Sequence, residues 1–254
     1  MLKVRIIPVL TFNGFGLVKT KGFSHPRMVG NPVQAARVYN ARGVDELVFV
    51  DILASKQNRK INLKLVSDVI KECFMPVAIG GGVKTIEDIH DLLKIGADKV
   101  ILKTIAIINP DFLNEASNIF GAQCITIAID AIKKDNEYFL YTLSDHEILL
   151  TDYLKKISSF TFGEIILTSV NNDGMMTGFD LNLVNLCTQY FKVPIVVSGG
   201  GGNPNHFKEL FKASNVEAVA ASSIFHFTQY TPRDIKLAIA EIGKPVRLIK
   251  EPPH

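Results

Sequence analysis

The chain has 254 residues, 47% hydrophobic and 21% charged, with a net charge of +3. That balance excludes a disordered segment, a coiled coil and a bulk nucleic-acid binder, which would carry a strongly basic surface. No apolar run approaches the roughly 20 residues of a membrane span, and Cys73, Cys124 and Cys187 lack metal-ligand spacing and an even count, so they read as structural thiols of a reducing cytoplasm.

The first 14 residues carry Lys3 and Arg5 within an apolar stretch, which fits a first strand and not a signal peptide. Near-continuous β-branched runs predict eight strands, at 4–10, 46–52, 76–79, 99–103, 124–130, 164–169, 194–198 and 218–221. Helical periodicity lies between them, at 32–42, 63–73, 86–95, 111–120, 153–160, 181–191, 206–213 and 232–242. Asn31 before Pro32 predicts an N-cap with proline at the first helical position, and Thr85 with Asp88 a capping box. Residues 133–150 form two short alternating runs around Ser144, Asp145 and His146, which predicts a β-hairpin after strand five. The tail Pro252-Pro253-His254 reads as frayed.

Eight βα units over residues 1–254 predict one closed (βα)8 barrel domain, with a doubly wound open sheet as the rival. An internal repeat favours the barrel. Glu46 and Glu164 stand 118 residues apart, as do Gly81 and Gly199, Gly82 and Gly200, and Thr104 and Ser222. A four-strand half cannot close its own sheet, so two halves must join.

The glycine runs Gly80-Gly81-Gly82 and Gly199-Gly200-Gly201-Gly202 each follow a strand and precede a helix. Glycine admits close backbone approach to an anion, although tight βα turns alone would also use it. With Thr104, Asp173, Gly174, Ser222 and Ser223 they predict two phosphate sites on opposite sides of a barrel mouth. Asp51 and Asp130 end strands, where a barrel places its acids and bases. Asp51 alternatively fixes loops. Arg5, Glu46, Lys99 and Glu164 begin strands and converge at the barrel floor. Read alone, they form a neutral ion-pair plug. His226 follows the second phosphate site, where it packs or binds. His25, His90, His146, His206 and His254 have no metal spacing.

Taken together, Arg5-Ile6-Ile7-Pro8, Asp45-Glu46-Leu47-Val48-Phe49, Asp51, Ala54-Ser55, Gly80-Gly81-Gly82, Gly96-Ala97-Asp98-Lys99-Val100, Ala128-Ile129-Asp130, the run 164–169, Asp173-Gly174, Ser198-Gly199-Gly200 and Phe225-His226-Phe227 resemble the cyclase subunit of imidazole glycerol phosphate synthase, the HisF family, from end to end. The resemblance implies a TIM barrel paired, at its N-terminal face, with a HisH-like glutaminase whose ammonia crosses the barrel to a bis-phosphorylated small molecule. It implies no metal or organic cofactor, no nucleic acid and no membrane. By position it places phosphate cradles at Gly81, Gly82 and Thr104 and at Asp173, Gly174, Gly199, Gly200, Ser222 and Ser223. A mobile catalytic lysine falls on Lys19, an ammonia gate on Arg5, Glu46, Lys99 and Glu164, and partner contacts on Asp98 and Gln123. The resemblance thus turns the floor plug into a port.

Three positions depart from the family pattern. The family's two catalytic aspartates fall on Asp130 and on Thr11, and threonine is no carboxylate base. An asparagine before Thr104 is Lys103, and a threonine after Gly174 is Met175; all three changes are expected to line the reactive cavity. Three readings follow. One is a paralogue, of the surface-polysaccharide type, that channels ammonia to a third, sugar-modifying amidotransferase. A second is a working cyclase of histidine biosynthesis that relies on Asp130. A third is a single-chain sugar isomerase of the sister half-barrel family, which would need neither the charge ring nor Asp98.

Overall fold

In the computed structural model, which describes residues 2–144 and 146–248, the strands are β1 (Arg5–Phe12), β2 (Leu17–Lys21), β3 (Ser24–Gly30), β4 (Leu47–Asp51), β5 (Val77–Gly80), β6 (Lys99–Leu102), β7 (Ile125–Lys134), β8 (Glu137–Leu140), β9 (Glu164–Ser169), β10 (Ile195–Ser198) and β11 (Ala218–Ala221). β1 pairs in parallel with both β4 and β11, and the parallel series β4, β5, β6, β7, β9, β10, β11 completes the circle. The sheet is therefore a closed eight-stranded TIM barrel, and the open-sheet rival is excluded. Alternation along each strand splits the apolar residues between two cores. Ile125, Ile127 and Ile129 face the helix layer, while Ile7, Val48, Ala78, Ile101, Ile166, Val196, Ala218 and Ala220 fill the bore.

The helices are α1 (Pro32–Ala41), α2 (Leu63–Ile70), α3 (Ile86–Lys94), α4 (Thr104–Ile108), α5 (Asp111–Phe120), α6 (Leu150–Ile157), α7 (Leu181–Thr188), α8 (Pro204–Ala213), α9 (Ser223–Phe227) and α10 (Pro232–Glu241). Asn31 caps α1 through the N–H groups of Val33 and Gln34, and Thr85 with Asp88 forms the predicted capping box on α3. α6 begins at Leu150, before the predicted 153, because Leu150, Tyr153, Leu154 and Ile157 make one buried stripe and Leu150 is its first member.

The hairpin after the fifth barrel strand differs from the expected one. β7 runs on to Lys134 and turns at Asp135 and Asn136 into β8, so the regular hairpin is formed earlier in the chain, between 125–134 and 137–140. The second alternating run contributes a single bridge, Phe139 to Leu149, and then enters α6. The expectations for Asp145 and for the tail at Pro252, Pro253 and His254 concern residues outside the described ones. A second hairpin, β2–β3, was not predicted. Its turn carries Gly22 and Phe23 at positive φ, the geometry a two-residue hairpin turn demands.

The repeat is visible in three dimensions. In each half a hairpin follows the first strand, and a short extra helix, α4 or α9, follows the fourth.

Candidate functional site

Parallel strands aim all eight C-terminal ends at one face, and the loops there enclose a cavity of about 640 Å³. Thr11, Lys19, Gly81, Gly82, Lys103, Thr104, Asp130, Asp173, Gly174, Gly199, Gly200, Ser222 and Ser223 all line it. The sequence thus brought together every predicted catalytic and phosphate residue. Met175 is the exception among the cavity departures: it is 48% exposed, and Met176 takes the wall position.

Asp130 ends the inward row Thr126, Ala128, Asp130 on β7, and its Oδ2 accepts from Lys103 Nζ at 2.6 Å. Lys103 lies 5.4 Å from the Tyr141 ring centre and 6.0 Å from that of Phe23. Those two rings meet edge to face at 5.3 Å and roof the ion pair. Thr11, across the bore, donates its hydroxyl to the Val18 carbonyl and is thereby tied to the β2–β3 hairpin.

The hairpin lies against the Asp173-Gly174 turn. Thr20 Oγ1 donates to Asp173 Oδ2 at 3.2 Å, and Gly22 N donates to the Asp173 carbonyl at 2.9 Å. A side chain at Gly174 would sit 2.1 Å from the Thr20 oxygen, so only glycine permits this contact. Docking buries Lys19, whose Nζ donates to the Val9 carbonyl at 3.1 Å. Burial pulls this amine down to about 8, against a smaller opposite pull from Asp173. Burial also pushes the Asp173 carboxyl above its ordinary range, against the pull of Lys19. Ser222 Oγ shares the Val9 carbonyl at 2.6 Å.

The glycine turns are close-packed as well as open to the cavity. Gly81 (φ +118°) and Gly200 (φ +112°) would place a Cβ 2.5 Å from the Asp51 oxygen and 1.9 Å from the Gly178 oxygen. Asp51 takes the loop-fixing alternative. Arg59 grips it with two hydrogen bonds, of 2.6 and 2.9 Å, and the Leu53 and Ala54 N–H groups donate to it. Arg59 carried no sequence signal, because a loop arginine eight residues from its partner follows no periodicity. α4 and α9 both begin on the cavity wall and have no side-chain cap. His226 packs edge-on to Tyr39, and burial, helped by nearby Lys19, pulls its imidazole down to about 4.

At the opposite end the four predicted charges form a closed ring. Arg5 donates to Glu46 at 2.7 Å and to Glu164, and Lys99 reaches Glu46 at 2.9 Å and Glu164 at 2.8 Å. The glutamates are buried, while Arg5 and Lys99 reach solvent from below. Asp98 and Gln123 are exposed at the same end, just before β6 and β7. Among the described residues no group of three His, Cys, Asp or Glu side chains could hold a metal, and no helix is long and apolar enough to cross a membrane.

Comparison with known proteins agrees with this geometry. The family model described as "Histidine biosynthesis protein" matches residues 5–231. Proteins named imidazole glycerol phosphate synthase subunit HisF are similar over nearly the whole chain. That of Staphylococcus saprophyticus is 41% identical over 252 residues, covering 97% of this chain and 100% of the relative. That of Thermococcus onnurineus is 42% identical over 252 residues, covering 98% and 99%. That of Streptococcus mutans is 40% identical over 251 residues, covering 97% and 100%. With the closed barrel, the paired glycine turns and the ringed floor in place, the chain belongs to the HisF family.

Proposed function

We propose that the chain is the ammonia-using subunit of a synthase complex. It accepts nitrogen from a glutaminase docked around Asp98 and Gln123, passes it through the floor ring and the bore, and joins it to a bis-phosphorylated ligand at the mouth. The observation that carries this reading is the alignment of ring, apolar bore and cavity on one barrel axis. An ion-pair plug alone would need no bore leading to a cavity that carries Lys19, Lys103, Asp130 and Asp173.

In this reading Gly81, Gly82 and Thr104 hold one phosphate. Gly199, Gly200, Ser222 and Ser223, beside Asp173 and Gly174, hold the other. The uncapped first turns of α4 and α9 leave N–H groups to meet the anions. The ammonia attacks as the neutral molecule. The Asp130 carboxylate takes and returns the proton, and Lys103, 2.6 Å away, holds it in place and offsets negative charge that develops on the ligand. Lys19, held near 8 by its burial under the docked hairpin, carries both protonation states around that pH while the hairpin stays docked. The relatives are named for imidazole glycerol phosphate synthase, and the HisF resemblance implies as ligand a bis-phosphorylated ribulosyl aminoimidazole carboxamide intermediate of histidine biosynthesis. Its closure and cleavage yield imidazole glycerol phosphate and a carboxamide ribotide. The free thiols Cys73, Cys124 and Cys187 fit a reducing cytoplasm.

Thr11 favours a second reading. Its hydroxyl is committed to the Val18 carbonyl, so strand one offers no acid or base. A paralogue could keep the ligand site and the nitrogen route and hand ammonia to a third amidotransferase. The deciding experiment is turnover of the bis-phosphate with saturating ammonium salt and no glutaminase, for the wild type and Thr11→Asp. Wild-type turnover at an ordinary enzymatic rate supports the cyclase. Binding without turnover, with a gain of roughly 10²–10⁴ in Thr11→Asp, supports the paralogue.

A further inference from the structure

One group inside the bore has no place in the chemistry above. Thr126 is fully buried, and its Oγ1 has no hydrogen-bond partner. Its neighbours in β7, Ile125 and Ile127, face the helices, so Thr126 faces the barrel interior. The strand register sets its height. Thr126 stands level with Glu164 of the charge ring on one side and with Ile101 of the bore on the other. Ala128, two residues on, packs against the bore cluster and lines the cavity, and Asp130 follows. The cavity wall reaches down to Val48, Ile101, Ile166 and Ala220. Thr126 therefore sits between the ring and the cavity, and its hydroxyl is the first uncharged polar group above the ring among the described residues of that wall.

A buried hydroxyl without a partner is unfavourable, and native interiors rarely keep one. A hydroxyl donates one hydrogen bond and accepts two. A neutral molecule the size of water, with both a lone pair and N–H or O–H groups, satisfies it. An ammonium ion does not suit the place, because an apolar bore disfavours an isolated charge. We propose that Thr126 is a single-molecule station for neutral ammonia, the first stop after the charge ring. The proposal rests on the nitrogen route proposed above and adds the residue that holds the molecule in transit. Its hydroxyl donates to the nitrogen lone pair, which holds the molecule between Glu164 and Ala128.

The test uses Thr126→Val, which keeps the shape and removes the hydroxyl, and Thr126→Ser, which restores it. The first measurement is a high-resolution crystal structure of wild type and valine variant grown in ammonium salt. The expected result is an ordered atom about 3 Å from Thr126 Oγ1 in the wild type and none in the variant. The second is nitrogen transfer from labelled glutamine by the complex with its glutaminase, compared with transfer supported by ammonium salt. Thr126→Val should lower the glutamine-supported rate about five- to tenfold, as loss of one neutral hydrogen bond does. It should leave the ammonium-supported rate unchanged, because that ammonia enters from the open mouth. Thr126→Ser should restore transfer. An empty site in the wild type, or full glutamine transfer in Thr126→Val, overturns the proposal. A wild-type complex that transfers no glutamine nitrogen to any acceptor overturns the route itself, and with it the proposed function, whatever Thr126 binds.

Discussion

Glu164→Gln tests the floor ring most directly. Arg5 and Lys99 balance Glu46 and Glu164, so the intact ring is neutral. Glutamine keeps the shape but leaves one uncompensated positive charge beside the buried bore. Removing one partner of a buried ion pair costs about 3–5 kcal/mol. Here Arg5 and Lys99 are 26% and 18% exposed and keep Glu46, so solvent and the remaining carboxylate recover part of it. The expected loss is about 2–3 kcal/mol, which in a chain of this size lowers Tm by roughly 5–10 °C. Scanning calorimetry with reversible urea unfolding measures both. The charge argument adds a sign: Glu164→Gln combined with Lys99→Met is neutral again, and should be more stable than Glu164→Gln alone despite losing a second side chain. A Tm drop under about 2 °C for the single variant, or a double variant less stable than it, would refute the reasoning.

Lys19 should make the docked hairpin pH-sensitive. Its folded amine titrates at about 8, below the ordinary 10.5, so between those values the unfolded chain holds more protons and stability rises with pH. Urea midpoints should climb across that window in the wild type and not in Lys19→Met. His226 works at the acid end. Its folded imidazole titrates at about 4 against 6.5, so stability falls as pH drops from 6.5 to 4, and His226→Phe should lose that dependence. Gly200→Ala meets the Gly178 oxygen at 1.9 Å and should fold poorly or lose phosphate affinity measured by calorimetric titration. Gly243→Ala, at φ +78° with nothing within 4 Å, should cost only the roughly 1–2 kcal/mol of left-handed backbone in urea unfolding.

Much of the site was legible because a parallel barrel turns strand ends into positions. Gly81, Thr104, Asp130, Gly199 and Ser222 each follow a hydrophobic run, and the barrel sends every such end to one mouth. The starts of the same runs sent Arg5, Glu46, Lys99 and Glu164 to one floor, by the same logic. What escaped were contacts between loops. Arg59 on Asp51, Thr20 on Asp173 and the Phe23–Tyr141 roof join segments whose separation in the chain carries no period. Its position after Gly174 predicts a place for Met175 in the cavity. The tight turn, with Gly174 and Met176 both at positive φ, rotates it outward instead.

Local chemistry in the chain determined the eight strand–helix units, their caps, the half-barrel repeat and the residue types at each strand end. These depend on burial periodicity and on backbone groups within a few residues of one another, which a linear pattern records. Tertiary structure alone decided that the ring closes, that Lys19 is buried with a weakened base strength, and that Thr126 faces the bore with no partner. Each of these depends on desolvation and on distances between groups far apart in the chain, and those exist only after the barrel has closed.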